Sequence, residues 1–208
     1  MVVGFSGKPI NSQSANKEII AGNLGQIELE GNQTTGYKWH YEIEDESNIQ
    51  VVSDKYDVYE HEEGQLGVGG VHTWNLKGLQ AGTTTIKFEY YRDSTPDKVK
   101  KIKEYQVTVK PQQKEVIKDN FIQVKLEGNQ TTGYKWHCNI EDEDIAQVTA
   151  DNYEVEEPDS GKAGAGGIHT WNIKGLKPGI TIVKFEYYRD STPEKVVKTR
   201  EYILKVID

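Results

Sequence analysis

A chain of 208 residues has room for two small domains or one large one, and 35% hydrophobic with 28% charged residues is enough to fold but thin for a single deep core. The 25 Lys and Arg against 33 Asp and Glu give a net charge of −8 with no basic cluster, so nucleic acid is excluded as an expected partner. Cys138 has no second thiol for a disulfide or a cysteine-based zinc site, no motif asks for a metal or cofactor, and no run of 18 apolar residues is present to span a membrane.

In chain order, residues 1–16 lack the charged start and apolar stretch of a signal peptide and are expected to form a flexible tail. From Lys17 onward the sequence repeats itself. NQTTGYKWH at Asn32 returns at Asn129, HTWN at His72 returns at His169, and YYRDSTP at Tyr90 returns at Tyr187, always with the offset of 97 that separates 32 from 129. No gap is needed, and identity between the copies is roughly 60%. The expected organisation is therefore domain 1 over 17–110, a linker at 111–113 and domain 2 over 114–208.

Within each copy the period is two. Strands are expected at Lys17 to Ile20 and Gln26 to Glu30, followed by Tyr37 to Ile43, where Tyr37, Trp39, Tyr41 and Ile43 share a face opposite Lys38, His40 and Glu42. The second copy keeps this with Tyr134, Trp136, Cys138 and Ile140. A strand carrying Trp74 follows Gly67 to Gly70. Ile86, Phe88 and Tyr90 then alternate with charged or polar neighbours, as do Tyr105, Val107 and Val109. Turn residues separate these runs, at Ala21-Gly22-Asn23, Gly31-Asn32, Gly78 to Gly82 and Pro96. The expected fold class is all-β: two tandem immunoglobulin-like antiparallel β-sandwich domains.

Catalytic chemistry finds little support. Cys138 aligns with Tyr41 on an apolar face and reads as a core residue. His72 and His169 lie in phase with Trp74 and Trp171 and read as structural. The carboxylates at Glu42 to Glu46 and Glu60 to Glu63 read as solvated surface, and His61-Glu62-Glu63 becomes Pro158-Asp159-Ser160 in the second copy, which a catalytic pair would not tolerate. An enzyme is not expected.

Agreement between the copies is densest at GNQTTGYKWH, at GxGGxHTWN and at KFEYYRDSTP. Two of these are mostly turn-forming, and core packing does not call for Asn-Gln-Thr-Thr-Gly in a loop. In an up-and-down sandwich, alternate connections emerge at one end, so the three loops are expected to form one composite surface. Asn32-Gln33-Thr34 and Asn129-Gln130-Thr131 also fit the acceptor pattern for N-glycosylation, and a glycan there would cover that surface.

This ordered set, found twice, resembles the chagasin-like inhibitors of papain-family cysteine proteases. The resemblance implies an exported or vesicular protein, extracellular or periplasmic if exported, whose loops enter and occlude a protease cleft without offering a cleavable bond. The protease-binding residues it implies are Asn32, Gln33, Thr34, Thr35, Gly36 and Tyr37 in the first loop, Gly67, Gly69 and Gly70 in the second, and Arg92 in the third. In domain 2 they are Asn129, Gln130, Thr131, Thr132, Gly133 and Tyr134, then Gly164, Gly166 and Gly167, then Arg189. Gln33 stands where the family has proline, and Arg92-Asp93-Ser94 keeps only the Arg of its Arg-Pro-Trp. The other reading is a tandem adhesion or carbohydrate-binding module with aromatic rings stacked on sugars. It is weakened by Trp39 and Trp74 falling in phase with core positions.

Overall fold

The computed structural model describes residues 13–155 and 166–208. Two compact units meet between Lys110 and Pro111. The first contains β1 (Gln13–Ile20), β2 (Leu24–Gly31), β3 (Tyr37–Ile43), β4 (Ile49–Val58), β5 (Gly70–Gly78), β6 (Gly82–Arg92) and β7 (Lys101–Lys110). The second contains β8 (Gln112–Ile117), β9 (Phe121–Gly128), β10 (Tyr134–Ile140), β11 (Ala146–Val155), β12 (Gly167–Gly175), β13 (Gly179–Arg189) and β14 (Lys198–Ile207).

Each unit is a β-sandwich of a four-stranded and a three-stranded sheet. In the first unit the orders are β1-β7-β6-β3 and β2-β5-β4, and in the second β8-β14-β13-β10 and β9-β12-β11. Pairing is antiparallel except where the first strand meets the last, β1 with β7 and β8 with β14, which are parallel. Six chain reversals lie between β1 and β7, so two strands that share an edge after an even number of turns must point the same way.

The alternation expected along β3, β6 and β7 is what fills the sandwich. Trp39, Ile86, Phe88, Tyr90, Val107 and Val109 face inward from one sheet and meet Ile27, Leu29, Trp74 and Leu76 from the other. Trp74 and Phe88 are completely buried and lie 4.6 Å apart between ring centroids. The second unit repeats this around Trp171 and Phe185.

Two boundaries differ from expectation. Gln13 to Asn16, placed in the flexible tail, belong to β1 and pair with Lys103 to Gln106 of β7, while residues 1–12 lie outside the described residues. Gln112 and Gln113, placed in the linker, pair with Tyr202 and Ile203 of β14, which leaves Pro111 between β7 and β8. In both cases the exposed edge of the last strand offers backbone hydrogen-bond partners that a polar segment can use without apolar side chains. The strand β4 carries a bulge between Val51 and Ser53, which breaks its two-residue period.

Candidate functional site

The connections β2–β3, β4–β5 and β6–β7 emerge at one end of the sandwich. Register fixes this: Gly31 is paired with Gly70, Val58 with Gly70, and Tyr37 with Arg92.

The first loop is a single 3₁₀ turn, Gln33–Thr35, closed at both ends by its own sequence. Asn32 is extended, and its Oδ1 accepts from Thr34 N at 3.1 Å and from Thr34 Oγ1 at 2.6 Å. An Asn at this position offers the orphan amide of a helix start its missing acceptor. Thr35 Oγ1 donates to the Asn32 carbonyl at 2.6 Å. Gly36 then takes φ of +79°, a region that Cβ disfavours, and its N–H donates to the Gln33 carbonyl. Thr34, Thr35 and Gly36 are exposed, Gln33 is half-buried, and Tyr37 begins the strand beneath. Domain 2 reproduces the turn, with Asn129 Oδ1 accepting from Thr131 N at 3.0 Å, Thr132 Oγ1 donating to Asn129 O at 2.6 Å, and Gly133 at φ +82°.

Below the turn lies an aromatic floor. Tyr90 is buried on β6, stacked on Tyr37 with centroids 5.4 Å apart and tilted against Trp39 at 5.0 Å. Its hydroxyl accepts from Asn32 N at 2.7 Å and donates to Asn32 O at 3.1 Å. Tyr56 OH donates to Gly31 O at 3.1 Å, and Trp39 Nε1 to Glu30 O at 3.0 Å. In domain 2, Tyr187 OH holds Asn129 N and O at 2.9 and 3.2 Å, and Tyr153 OH donates to Gly128 O at 3.2 Å.

The second loop is tied to the first. Asn32 Nδ2 donates to Gly67 O at 2.6 Å, with Gly67 itself at φ +77°. Gly69 and Gly70 serve close approach: a Cβ at Gly69 would lie 3.0 Å from Gly31 O, and one at Gly70 would lie 2.2 Å from Asp57 O. Gly167 is equally tight, with its Cβ position 2.3 Å from Glu154 O, and that of Gly166 is 3.4 Å from Gly128 O. Gly164 lies outside the described residues.

In the third loop Arg92 is exposed, with its guanidinium carbon 4.5 Å from the Tyr37 ring centroid. Asp93 is pinned from β3 by Lys38 Nζ at 3.0 Å, with His40 Nε2 lying 3.2 Å from its other oxygen outside hydrogen-bonding geometry, and the His40 ring stacks on Tyr91 at 3.8 Å. The Lys38 hydrogen bond, above all, holds the Asp93 carboxyl below the usual carboxylate range. Arg189 over Tyr134, and Asp190 between Lys135 and His137, repeat the arrangement.

Residues judged structural sit away from this end or below its surface. The buried His72 stacks on Trp74 at 3.9 Å and is bonded through Nε2 to Asp54, which also accepts from Trp74 Nε1 at 3.2 Å. His169, Trp171 and Asp151 form the same trio. Cys138 is half-buried against the second core, and burial pushes its thiol up to about 12, with a further push from the Asp151 charge. All four tryptophans are buried, at 6% relative exposure or less. Among the described residues no group of His, Cys, Asp and Glu is placed to hold a metal, and no helix is long and apolar enough to cross a membrane.

The contributions that sequence reasoning missed are the hydroxyls of Tyr90 and Tyr56 and the clasp of Lys38, His40 and Asp93. The signal available for Tyr90 was a hydroxyl at a core-phase position immediately before a loop, within one of the three stretches where the copies agree best.

Both halves match the family model described as chagasin family peptidase inhibitor I42, over residues 18–109 and 115–206. Amoebiasin-2 of Entamoeba histolytica is 33% identical over 78 residues, 38% of this chain, and the chain spans 63% of that relative's length. Among solved structures, the cysteine protease inhibitor EhICP2 from Entamoeba histolytica is 28% identical with a TM-score of 0.42, over 48% of this chain and 94% of its own. PbICP-C, solved in complex with falcipain-2, is 22% identical with a TM-score of 0.40, over 52% and 96%. With the family model covering both repeats almost end to end, the chain belongs to the chagasin family of peptidase inhibitors and carries two tandem copies of its domain.

Proposed function

We propose that the chain is a reversible inhibitor of papain-family cysteine proteases and not itself an enzyme, each domain occluding an active-site cleft with its three loops. The observation that supports this most is the first loop: a narrow turn with small exposed side chains, Thr34, Thr35 and Gly36, held by internal hydrogen bonds before any partner arrives. Such preorganisation lowers the ordering cost of association. Asn32, Gln33 and Tyr37 flank the wedge, the exposed Gly67 lets backbone approach the enzyme beside it, and Gly69 and Gly70, packed against Gly31 O and Asp57 O, hold the base of that loop. Arg92 supplies guanidinium donors at the rim. In domain 2 the same roles fall to Asn129 to Tyr134, to Gly164, Gly166 and Gly167, and to Arg189. A turn already closed by its own side chains presents no extended segment for a protease to thread and cut.

The glycan-binding reading is disfavoured because Trp39, Trp74, Trp136 and Trp171 are buried, so their faces are not offered to sugar rings. Titration of the folded chain against papain and a cathepsin L-like enzyme tests the proposal. Competitive, reversible inhibition with no cleavage within 32–37 or 129–134 is expected, and no inhibition at micromolar inhibitor would overturn it.

A further inference from the structure

We infer that Tyr90 and Tyr187 are positioning residues, each using one phenol hydroxyl to lock the loop that inserts into the protease. The inference rests on the inhibitor reading and assigns a role to residues set below the contact surface.

The Tyr90 hydroxyl is saturated by a single residue, accepting from Asn32 N at 2.7 Å and donating to Asn32 O at 3.1 Å. Two bonds to one residue fix its backbone from both sides, and Asn32 is the residue on which the loop depends. Its Oδ1 caps the turn through Thr34, its carbonyl receives Thr35 Oγ1, and its Nδ2 reaches Gly67 in the second loop. The third loop is coupled through the same tyrosine, because Tyr90 lies two residues before Arg92 on β6. One hydroxyl therefore anchors the residue that joins the first two loops, from a strand that runs on into the third.

The ring cannot drift, since it lies between Tyr37 and Trp39, and a Cβ built on Gly31 would sit only 3.4 Å from its edge. Domain 2 has the same clamp on Asn129, at 2.9 and 3.2 Å, although 97 residues separate the copies. The rest of Tyr90 is core, so removing the hydroxyl alone separates positioning from packing.

The full chain carrying Tyr90→Phe and Tyr187→Phe together tests this, so that neither domain masks the other. The phenyl rings keep their packing, and the fold should survive. Loosening the loop reduces the fraction of molecules ready to bind, which lowers apparent affinity by that fraction. The expected result is at least tenfold weaker inhibition of papain, carried by slower association, with dissociation nearly unchanged because the docked surface is the same. A residue that touches the enzyme would instead speed dissociation. Amide exchange gives an activity-independent readout: the Asn32 and Asn129 N–H groups should be protected in the parent chain and exchange faster in the double variant.

Unchanged inhibition by the double variant would overturn the inference, as would a loss confined to dissociation. Unchanged exchange at both Asn amides would also overturn it. If the parent chain fails to inhibit while its amides behave as expected, the inhibitor reading falls and the clamp alone stands.

Discussion

Thr34 and Thr35 sit side by side but direct their hydroxyls differently, one to the Asn32 side chain and the other to its carbonyl. Both residues and the adjacent Gly36 form the exposed outer surface of the turn. Replacing Thr34 and Thr131 together by Trp should abolish inhibition at micromolar concentration, since a slot that admits a Thr cannot admit an indole. The stability of each domain should fall by no more than about 1 kcal/mol, the worth of the one hydroxyl hydrogen bond that each loses. Urea unfolding beside papain titration checks both, and unfolding of the variant would show the loop to be structural.

Cys138 makes a second prediction at this scale. With its thiol pushed up to about 12, almost no thiolate exists at neutral pH. The folded chain should react with a disulfide reagent at pH 7.5 far more slowly than after denaturation, which timed absorbance measurements will show.

Asp93 and Asp190 give the pH dependence. Lys38 and Lys135, by hydrogen bonding, hold these carboxyls below the ordinary value of about 3.9. A depressed folded-state pKa means a contribution that is complete above the unfolded value and is lost as pH falls through the folded one. The clasp on the third loop should therefore hold through mildly acidic conditions and open below about pH 4. Carboxyl carbon NMR titration should place both inflections below that of a free aspartate, and inflections at or above it would refute the clasp.

The strands differ in how openly the sequence announced them. The alternating face of β3 was legible because Tyr37, Trp39 and Ile43 must bury one side, and β6 and β7 were legible for the same reason. The bulge in β4 breaks the period, and the start of β1, Gln-Ser-Ala-Asn, carries no large apolar residue while its backbone completes a ladder. The three loops could be read as a set, and a hydroxyl at the core-phase Tyr90 hinted at a role, but what it bonds could not be read. Its hydrogen-bond partner lies 58 residues away, at a distance only the register determines. Gly70 shows how backbone proximity reaches the site. A methyl group there would press on Asp57 O, so Gly70→Ala should cost about 2 to 3 kcal/mol and displace the second loop. Thermal unfolding with parallel inhibition assays measures this, and full stability would mean that β4 yields easily.

At the scale of the chain, the two cores are built from separate sets of residues, one around Trp74 and one around Trp171. Trp171→Ala should destabilise domain 2 by about 3 to 5 kcal/mol. Hydrogen exchange along β1 to β7 should stay at its parent level, and loss of protection in both halves would show that the two do not fold independently. The duplication was plain in the sequence. The extension of the paired segments to Gln13 and Gln112 was not, because strand pairing at a sheet edge leaves no mark in hydropathy.

The parallel pairing of first and last strands also has a mechanical meaning. In domain 1, β1 enters at the loop end and β7 leaves at the opposite end, with eight residue pairs between them from Gln13 to Ile20. Tension applied at the two ends of the domain pulls these strands in opposite directions along their length, so the ladder is loaded in shear and its bonds must fail together rather than unzip one at a time. A domain tied in this way resists being drawn out by its ends, the motion by which an unfolding machine or a processive protease would begin to take it apart.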